Sequence, residues 1–512
     1  MITPSHLSKL CLPVAGLLAL SQVTVPAQAQ ITAKPNVLFI AVDDLNDWIG
    51  CMKGHPHAKT PHLDRLASRG VLFTNAHCAA PVCLASRTAI FCGRYPDQTG
   101  VYSNWGKTKG KSPAKDLQLP LHFSAAGYET LGAGKLYHEG GEGCFDAYFG
   151  TEQRWSPFTN EQAKYTEEEL PSKGSATPRH LIQSGPGNRD WALPLNGLPS
   201  ERNADRIEGE SFDWGPVNIE DGDMGDARIT DWAISKLDEF REKPFFLGVG
   251  YYRPHIPLFA PQQDFDALPP VEDIQLPPVK PQDLDDLGPE GKRTAIDAIT
   301  AGTHELVVKN NQWKQAVRAY LACITFVDRQ VGRLIDQLDA SAYADNTWIV
   351  LWSDHGWHLG EKEHWGKWTG WRQATRSPLI IVPPRRQAAV RGKSCAEPVS
   401  LVDLYPTLID LCGLPAKSGL AGVSLAPLIR NPELRTQRAV VTTFDPGNHA
   451  LSTRDWRYLN YNNGEEELYD IKSDPHEWNN LARDKACLEK LTEMRQRLDH
   501  EILTNSTNLS SK

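Results

Sequence analysis

Four apolar runs in this chain are each followed directly by charged side chains. Asn36-VLFIAV leads into Asp43-Asp44, and AGYETLGA leads into Gly134-Lys135-Leu136-Tyr137-His138. PFFLGVG leads into Tyr251-Tyr252-Arg253-Pro254-His255, and Trp348-IVLW leads into Ser353-Asp354-His355-Gly356. If the runs are strands of an open α/β sheet, these residues stand beyond the carboxyl ends, where such sheets bind ligands. Adjacent carboxylates repel one another unless a cation lies between them. Alone, Asp43-Asp44 reads as a solvated acidic turn, and His355 alone as a histidine capping a strand. The two pairs together favour a cation, and three carboxylates with few sulfur donors suit Ca²⁺, or Mg²⁺, better than zinc.

A fifth stretch, APVCLASRTAIFCG from Ala80 to Gly93, carries a possible nucleophile. Pro81-Val82 ends an extended approach and Thr88-AIF reads as the first turns of a helix. Cys83 and Arg87 then sit at or near a helix N-terminus, where backbone N–H groups and the dipole favour anions. A thiol there has a depressed pKa and can attack an electrophile. As an isolated pair, the same residues read as a buried cysteine opening a core helix.

These side chains need a scaffold, and the apolar pattern supplies one. Asn36-VLFIAV, Pro244-FFLGVG, Trp348-IVLW and Pro378-LIIVP are short continuous apolar runs, the mark of strands covered on both faces. Thr60-Pro61 opens a helix that ends at Gly70, and Val317 to Leu338 keeps a helical apolar period. Helices alternating with buried strands predict an α/β fold with a large, mostly parallel sheet sandwiched by helices. Residues 152–225 and 260–312 are polar or proline-rich and read as loops over one face of the sheet. From residue 431 the texture changes to short strands (AVVTTF, STRDWRYLNYN, EEELYDI) and a helix from Leu481 to Ile502. The expected division is a signal peptide at 1–29, a catalytic domain at 30–430, and a small C-terminal antiparallel α+β subdomain with a polar tail at 431–512.

The bulk properties narrow the function. The formal charge of −9 includes a leader with one lysine and no acid, so the chain without it carries −10. That balance disfavours a nucleic-acid partner. Lys9, the apolar run Leu10 to Leu20 and Ala27-Gln28-Ala29 form a signal peptide with a cleavage site near Ala29. No later segment is long and apolar enough for a membrane span, so the expectation is a soluble protein in a periplasm-like or extracellular space. Ten cysteines become nine once Cys11 leaves, an odd number that in an oxidising compartment leaves at least one unpaired thiol or one modified residue.

Cys83-Leu84-Ala85-Ser86-Arg87 followed by Gly93-Arg94 resembles the signature of the type I sulfatases of the alkaline phosphatase superfamily. The other anchors stand in family order: VDD at 42–44, TPHLDRLA at 60–67, GKLYH at 134–138, RPHIP at 253–257, SDHGWHLGEKEHWGK at 353–367 and ELYDIKSDP at 467–475. RPHIP and DHGWxLGE followed by WxK are most similar to the iduronate-2-sulfatase-like branch. Two positions depart from the pattern. Ala85 replaces the proline of C-x-P-S-R, and Phe91-Cys92 stands where Leu-Thr is usual.

The resemblance implies that a maturation enzyme oxidises Cys83 to Cα-formylglycine, whose hydrate offers two hydroxyls. One attacks sulfur; the other, deprotonated, expels the sulfate and regenerates the aldehyde. It implies Asp43, Asp44, Asp354, His355 and residue 83 as ligands of a cation, Ca²⁺ before Mg²⁺. Arg87 would steady the diol and His138 would be the base for its collapse. Lys135, His255 and Lys367 would hold sulfate oxygens, with His255 or Lys367 protonating the leaving oxygen. Asn104, Trp105, Trp357 and Trp368 lie near these motifs as candidates for a sugar subsite; ordinary packing is the alternative. The expected activity is removal of sulfate from a sulfated carbohydrate. Its alternatives are a formylglycine-dependent phosphonate monoester or phosphodiester hydrolase, and a non-catalytic sulfated-glycan binder with Cys83 unmodified.

Overall fold

A computed structural model describes residues 34–111, 115–150, 154–158, 181–185, 189–192, 195–196, 198, 211–299, 301–387 and 390–507. The expected signal peptide and its cleavage site lie outside these residues, as does most of 152–225. Eight strands form the main sheet: β1 (Asn36–Val42), β2 (Val71–Phe73), β3 (Glu129–Gly134), β4 (Ala147–Phe149), β5 (Phe245–Tyr251), β6 (Thr347–Ser353), β7 (Leu379–Val382) and β8 (Lys393–Cys395). Their order is β8-β2-β7-β6-β1-β5-β3-β4. All neighbours are parallel except β7, which runs antiparallel to both β6 and β2, so the sheet is mixed and mostly parallel as expected.

The central strand shows why its run is apolar throughout. Leu38, Ile40 and Val42 pack into a core with the long helix Trp313–Ala340. Val37, Phe39 and Ala41 point the other way, into a core with Ile90 and Phe91 of helix Cys83–Cys92 and with Leu404 and Leu408 of helix Leu404–Cys412. Alternation along a strand with helices on both faces leaves no position for a polar residue until the strand ends.

The helix Pro61–Arg69 begins and stops where the sequence predicts, with Pro61 at its first position and Gly70 after its last turn. Its N-terminus is capped from a distance. Asp328 of the long helix is buried and accepts the backbone N–H groups of His62 at 3.2 Å and Leu63 at 2.8 Å. Asp328→Ala should destabilise the protein by about 1–3 kcal/mol, the cost of buried donors losing their acceptor, read as a lower urea midpoint.

Two expectations need correction. Residues 260–312 do not form a plain loop: they carry the short helices Gln262–Asp266, Pro289–Ile296 and His304–Lys309. Their prolines cut the helices short instead of preventing them, and Pro289 opens one. Part of the segment packs on the long helix, where Arg318 donates to the carbonyls of Pro269 and Phe265. Another part, with Leu287 and Ala295, joins the core of the C-terminal sheet. The terminal helix starts at Leu488, not Leu481, because Asn480 and Asp484 accept the N–H groups of Ala482 and Ala486 and close two separate short turns first.

That C-terminal sheet is antiparallel, with strands Val440–Asp445, Asn448–Ser452, Trp456–Asn460 and Glu466–Asp470 in sequential order. The nine cysteines from Cys51 onward are all free thiols, seven of them buried. Among the described residues no helix is long and apolar enough to cross a membrane.

Candidate active site

Sheet register assembles the site. Val42 of β1 pairs with Ser353 of β6 on one side and with Tyr251 of β5 on the other. The next residues on the first two strands, Asp43 and Asp354, therefore emerge side by side. Gly134 of β3 pairs with Gly250, which brings Lys135 to the same edge. Gly134 has φ +68 and a Cβ there would lie 2.1 Å from the Gly250 carbonyl, so only glycine lets the chain turn in at this point.

Helix Cys83–Cys92 meets this edge with its first turn, and Cys83 is its first residue. Arg87, one turn on, shares that face. Its guanidinium donates Nη2 to Asp43 at 2.9 Å and Nε to Asp354 at 2.9 Å, and Nη1 to the carbonyls of Leu136 (3.0 Å) and Lys135. Ser86 Oγ donates to the Asp354 carbonyl at 2.6 Å. One buried helical turn thus ties three strand ends together.

Around the Cys83 sulfur stand Lys367 Nζ at 2.9 Å, His355 Nε2 at 3.5 Å, Asp44 Oδ1 at 3.9 Å and Lys135 Nζ at 3.9 Å. Lys367 also donates to Asp44 Oδ1 at 2.7 Å, and Lys135 donates to Asp43. Donor atoms of Asp43, Asp44, Cys83 and His355 all fall within 4.8 Å of one another, a set that could hold a metal ion. Asp354 stands beside this quartet, its Oδ2 3.5 Å from His355 Nε2, and is engaged by Arg87 and by the Asp44 N–H at 3.1 Å. Asp44 Oδ2 is buried without a hydrogen-bond partner, its nearest base being His255 Nε2 at 3.8 Å. A carboxylate oxygen left bare in such company fits a cation ligand.

The charges balance. Asp43, Asp44 and Asp354 face Arg87, Lys135 and Lys367, all six buried. Burial favours the neutral acids, but Lys135 and Arg87 outweigh it at Asp43 and hold that carboxyl well below the usual range. At Asp44 burial wins over Lys367 and pushes the group up to about 6; at Asp354 it wins over Arg87 and pushes the group up to about 7. The histidines are neutral. Burial, then the Lys135 cation, brings His138 down to about 3 and His255 well below its ordinary value, and burial with Lys367 does the same to His355.

The Cys83 thiol departs from the expectation of a depressed pKa. Burial and the Asp43 carboxylate push it up to about 12 despite Lys135, Lys367 and its place at a helix start. As a plain thiol it stays protonated and unreactive at neutral pH.

Ring hydrogen bonds settle two tautomers. His355 Nδ1 lies 3.0 Å from the Gly356 carbonyl and His255 Nδ1 lies 2.5 Å from that of Ile256. A carbonyl only accepts, so each Nδ1 carries the proton and each Nε2 presents a lone pair toward the centre. His138 Nδ1 is buried with no hydrogen-bond partner.

The other candidates divide. Asn104 Oδ1 accepts the Leu84 N–H at 2.9 Å and so closes the start of the helix that carries Cys83. Trp357 is buried, its ring 5.4 Å from Lys367 Nζ, which is a packing role. Trp105 is half exposed and lies against Trp368, ring centroids 5.2 Å apart, forming the available aromatic surface.

Sequence reasoning missed two supports. Tyr320 of the long helix donates to the Asp44 carbonyl at 2.7 Å and accepts the Asn46 N–H at 2.9 Å, pinning Asp44 at φ 59 in the left-handed region. Asp226 accepts the N–H groups of Tyr252 (2.8 Å) and Arg253 (2.9 Å) and fixes the loop that bears His255. A tyrosine in a core-facing helical period and an aspartate in a helix give no sign of these contacts in sequence.

An α/β sheet with buried acids, lysines and a helix-borne cysteine at its strand ends has the groups to hold a metal ion and an anion side by side. The Sulfatase family profile matches residues 35–414, and that of N-sulphoglucosamine sulphohydrolase, C-terminal, matches residues 360–504. A sulfatase of Formosa agariphila is 37% identical over 455 residues, covering 88% of this chain and 83% of its own. Iduronate 2-sulfatase of Homo sapiens is 31% identical over 417 residues, covering 74% of this chain and 69% of its own. Among solved structures, the phosphonate monoester hydrolase of Agrobacterium radiobacter superposes with a TM-score of 0.70 at 19% identity, over 92% of this chain and 96% of that one. The chain belongs to the sulfatase family and is a sulfuric ester hydrolase.

Proposed function

We propose that the protein removes sulfate from a sulfated carbohydrate, using a formylglycine made from Cys83 and a bound Ca²⁺. The convergence of Lys367, His355, Asp44 and Lys135 on the Cys83 sulfur carries this reading. A thiol pushed up to about 12 is a poor nucleophile, which agrees with a cysteine that serves as a precursor. The hydrated aldehyde would supply an oxygen nucleophile and a second hydroxyl for release. Ca²⁺, held by Asp43, Asp44, Asp354, His355 and residue 83, would supply Lewis acidity and two positive charges that tip a balanced site toward anions.

The chain's own residues do the rest. Lys135 and Lys367 bring two buried ammonium groups to the position a sulfate must occupy, where low dielectric strengthens their hold on its oxygens. Arg87 keeps the first turn of the helix fixed on Asp43 and Asp354, so residue 83 meets the ester in one orientation. Lys367 or His255 would protonate the leaving oxygen: in this structure Lys367 carries a proton but shares it with Asp44, whereas His255 Nε2 presents a lone pair and must first gain one. His138, neutral and with a free ring nitrogen, serves as the base that takes a proton from residue 83.

The iduronate 2-sulfatase relative and the half-exposed Trp105 beside Trp368 favour a sugar ester as the substrate. We further read residues 1–29 as a signal peptide for export, 30–430 as the catalytic domain and 431–512 as its C-terminal subdomain. The fold shared with a phosphonate monoester hydrolase favours, as a second reading, a phosphonate ester substrate. Paired assays on 4-nitrophenyl sulfate and a phenyl phosphonate ester separate the two, and faster turnover of the phosphonate would overturn the first. Dialysis against EDTA should lower sulfate hydrolysis at least about a hundredfold, with recovery on adding Ca²⁺.

A further inference from the structure

Apart from the catalytic centre, a cavity of about 220 Å³ opens where residues 47–54 and 371–376 meet the turn at 475–478. Most charges around it are already matched. Arg376 pairs with Asp47 at 2.6 Å, Lys362 with Asp283 at 2.9 Å, and Glu477 with Arg457 at 2.7 Å. Glu361 accepts the Leu359 N–H at 2.7 Å, and burial pushes its carboxyl up to about 7. Lys53 is exposed to solvent, and among the less exposed groups Arg372 is the exception. Its backbone N–H binds Glu477, but among the described residues its guanidinium has no ion pair or hydrogen bond, and its Nε is sealed from solvent without a partner. Burial and the neighbouring Arg376 bring its pKa down to about 9.

Arg372 and Arg376 line one cavity with Asp47 and Glu477, but Arg376 takes Asp47 and Arg457 takes Glu477, so among the described residues the Arg372 guanidinium is left without a carboxylate of its own, a costly state for a group with a sealed donor. An arginine's planar fork of donors matches a carboxylate or sulfate. Exposed His476 and half-buried Trp478, which also line the cavity, stack with ring centroids 4.7 Å apart and 25° between planes, an aromatic surface against which a sugar ring can pack. The cavity backs onto the loop of the catalytic centre: Gln373, which lines it, and Asn46 both donate to the Trp357 carbonyl.

We propose that this cavity is a second anion site, in which Arg372 binds the carboxylate or sulfate group of an acidic sugar. The ligand would complete the pairing that the protein leaves open. The site goes beyond the sulfate-ester chemistry and is tested without turnover, so it stands or falls separately from that reading.

The test is calorimetric titration of the wild type and Arg372→Met with sodium glucuronate and with sodium sulfate at constant ionic strength, together with unliganded melting temperatures. Glucuronate binding should weaken at least about tenfold in the variant, the scale of a lost charge-assisted pair. The unliganded variant should melt at the same temperature or higher, because it sheds an unmatched charge. Sulfate also reaches the catalytic centre, so only the share lost in the variant is read. If that share is lost too, a bare oxyanion suffices; if sulfate binding is unchanged while glucuronate is lost, the site takes the sugar-borne carboxylate. Identical glucuronate titrations, no glucuronate binding by the wild type, or a variant that melts several degrees lower would each overturn the proposal, the last by showing Arg372 to be structural.

Discussion

Cys83→Ala should lower kcat/KM for 4-nitrophenyl sulfate at least about a thousandfold, a loss of about 4 kcal/mol of transition-state stabilisation. Stability should hardly change. The sulfur is buried, but alanine fits the same helical position, and Lys367 keeps its bond to Asp44 at 2.7 Å. Cys83→Ser separates two duties of the residue. A serine hydroxyl can still attack sulfur but has no second hydroxyl for release, so one turnover should leave sulfate on residue 83. Mass spectrometry of the wild-type peptide spanning residue 83 should show an aldehyde where the gene encodes a thiol. A Cys83→Ala enzyme within about tenfold of wild type would sink the mechanism, as would active wild type carrying only the thiol.

How much of this was legible in sequence depends on the kind of interaction. The strands at 36–42, 245–251 and 347–353 and the helix at 61–69 were readable because burial on both faces, proline and glycine write themselves into local composition. The clustering of Asp43, Asp354 and Lys135 followed from one topological rule about strand ends, which register then made specific. What stayed hidden depends on long-range partners. Tyr320 reaches Asp44 across 276 positions of sequence, and Asp328 caps a helix 265 positions away. The thiol of Cys83 was misjudged for the same reason. Local logic places it at a helix N-terminus and lowers its pKa, whereas burial against Asp43, far off in sequence, raises it. The loop expectation for 260–312 erred in the opposite direction, since proline-rich composition did not reveal that Leu287 and Ala295 have a core to join.

Arg87→Met should produce the largest loss of stability, about 3–5 kcal/mol, the usual consequence of removing one partner from a buried ion pair. The side chain is 1% exposed, and its neighbours Asp43 and Asp354 are fully buried. Methionine fills much of the space yet leaves two adjacent carboxylates facing each other and takes a donor from the carbonyls of Lys135 and Leu136. Lys135 can offset part of the charge at Asp43, but it cannot reach across to replace the fork that spans both acids. Arg87→Lys should therefore recover only part of the loss, since a single ammonium restores charge without geometry. Activity should fall in both variants, because the turn that carries residue 83 loses its anchor to the strand ends. Urea midpoints compared across wild type, Arg87→Lys and Arg87→Met should fall in that order. A midpoint for Arg87→Met equivalent to less than about 1 kcal/mol of destabilisation would mean that the arginine serves chemistry alone and that the three strand ends hold together without it.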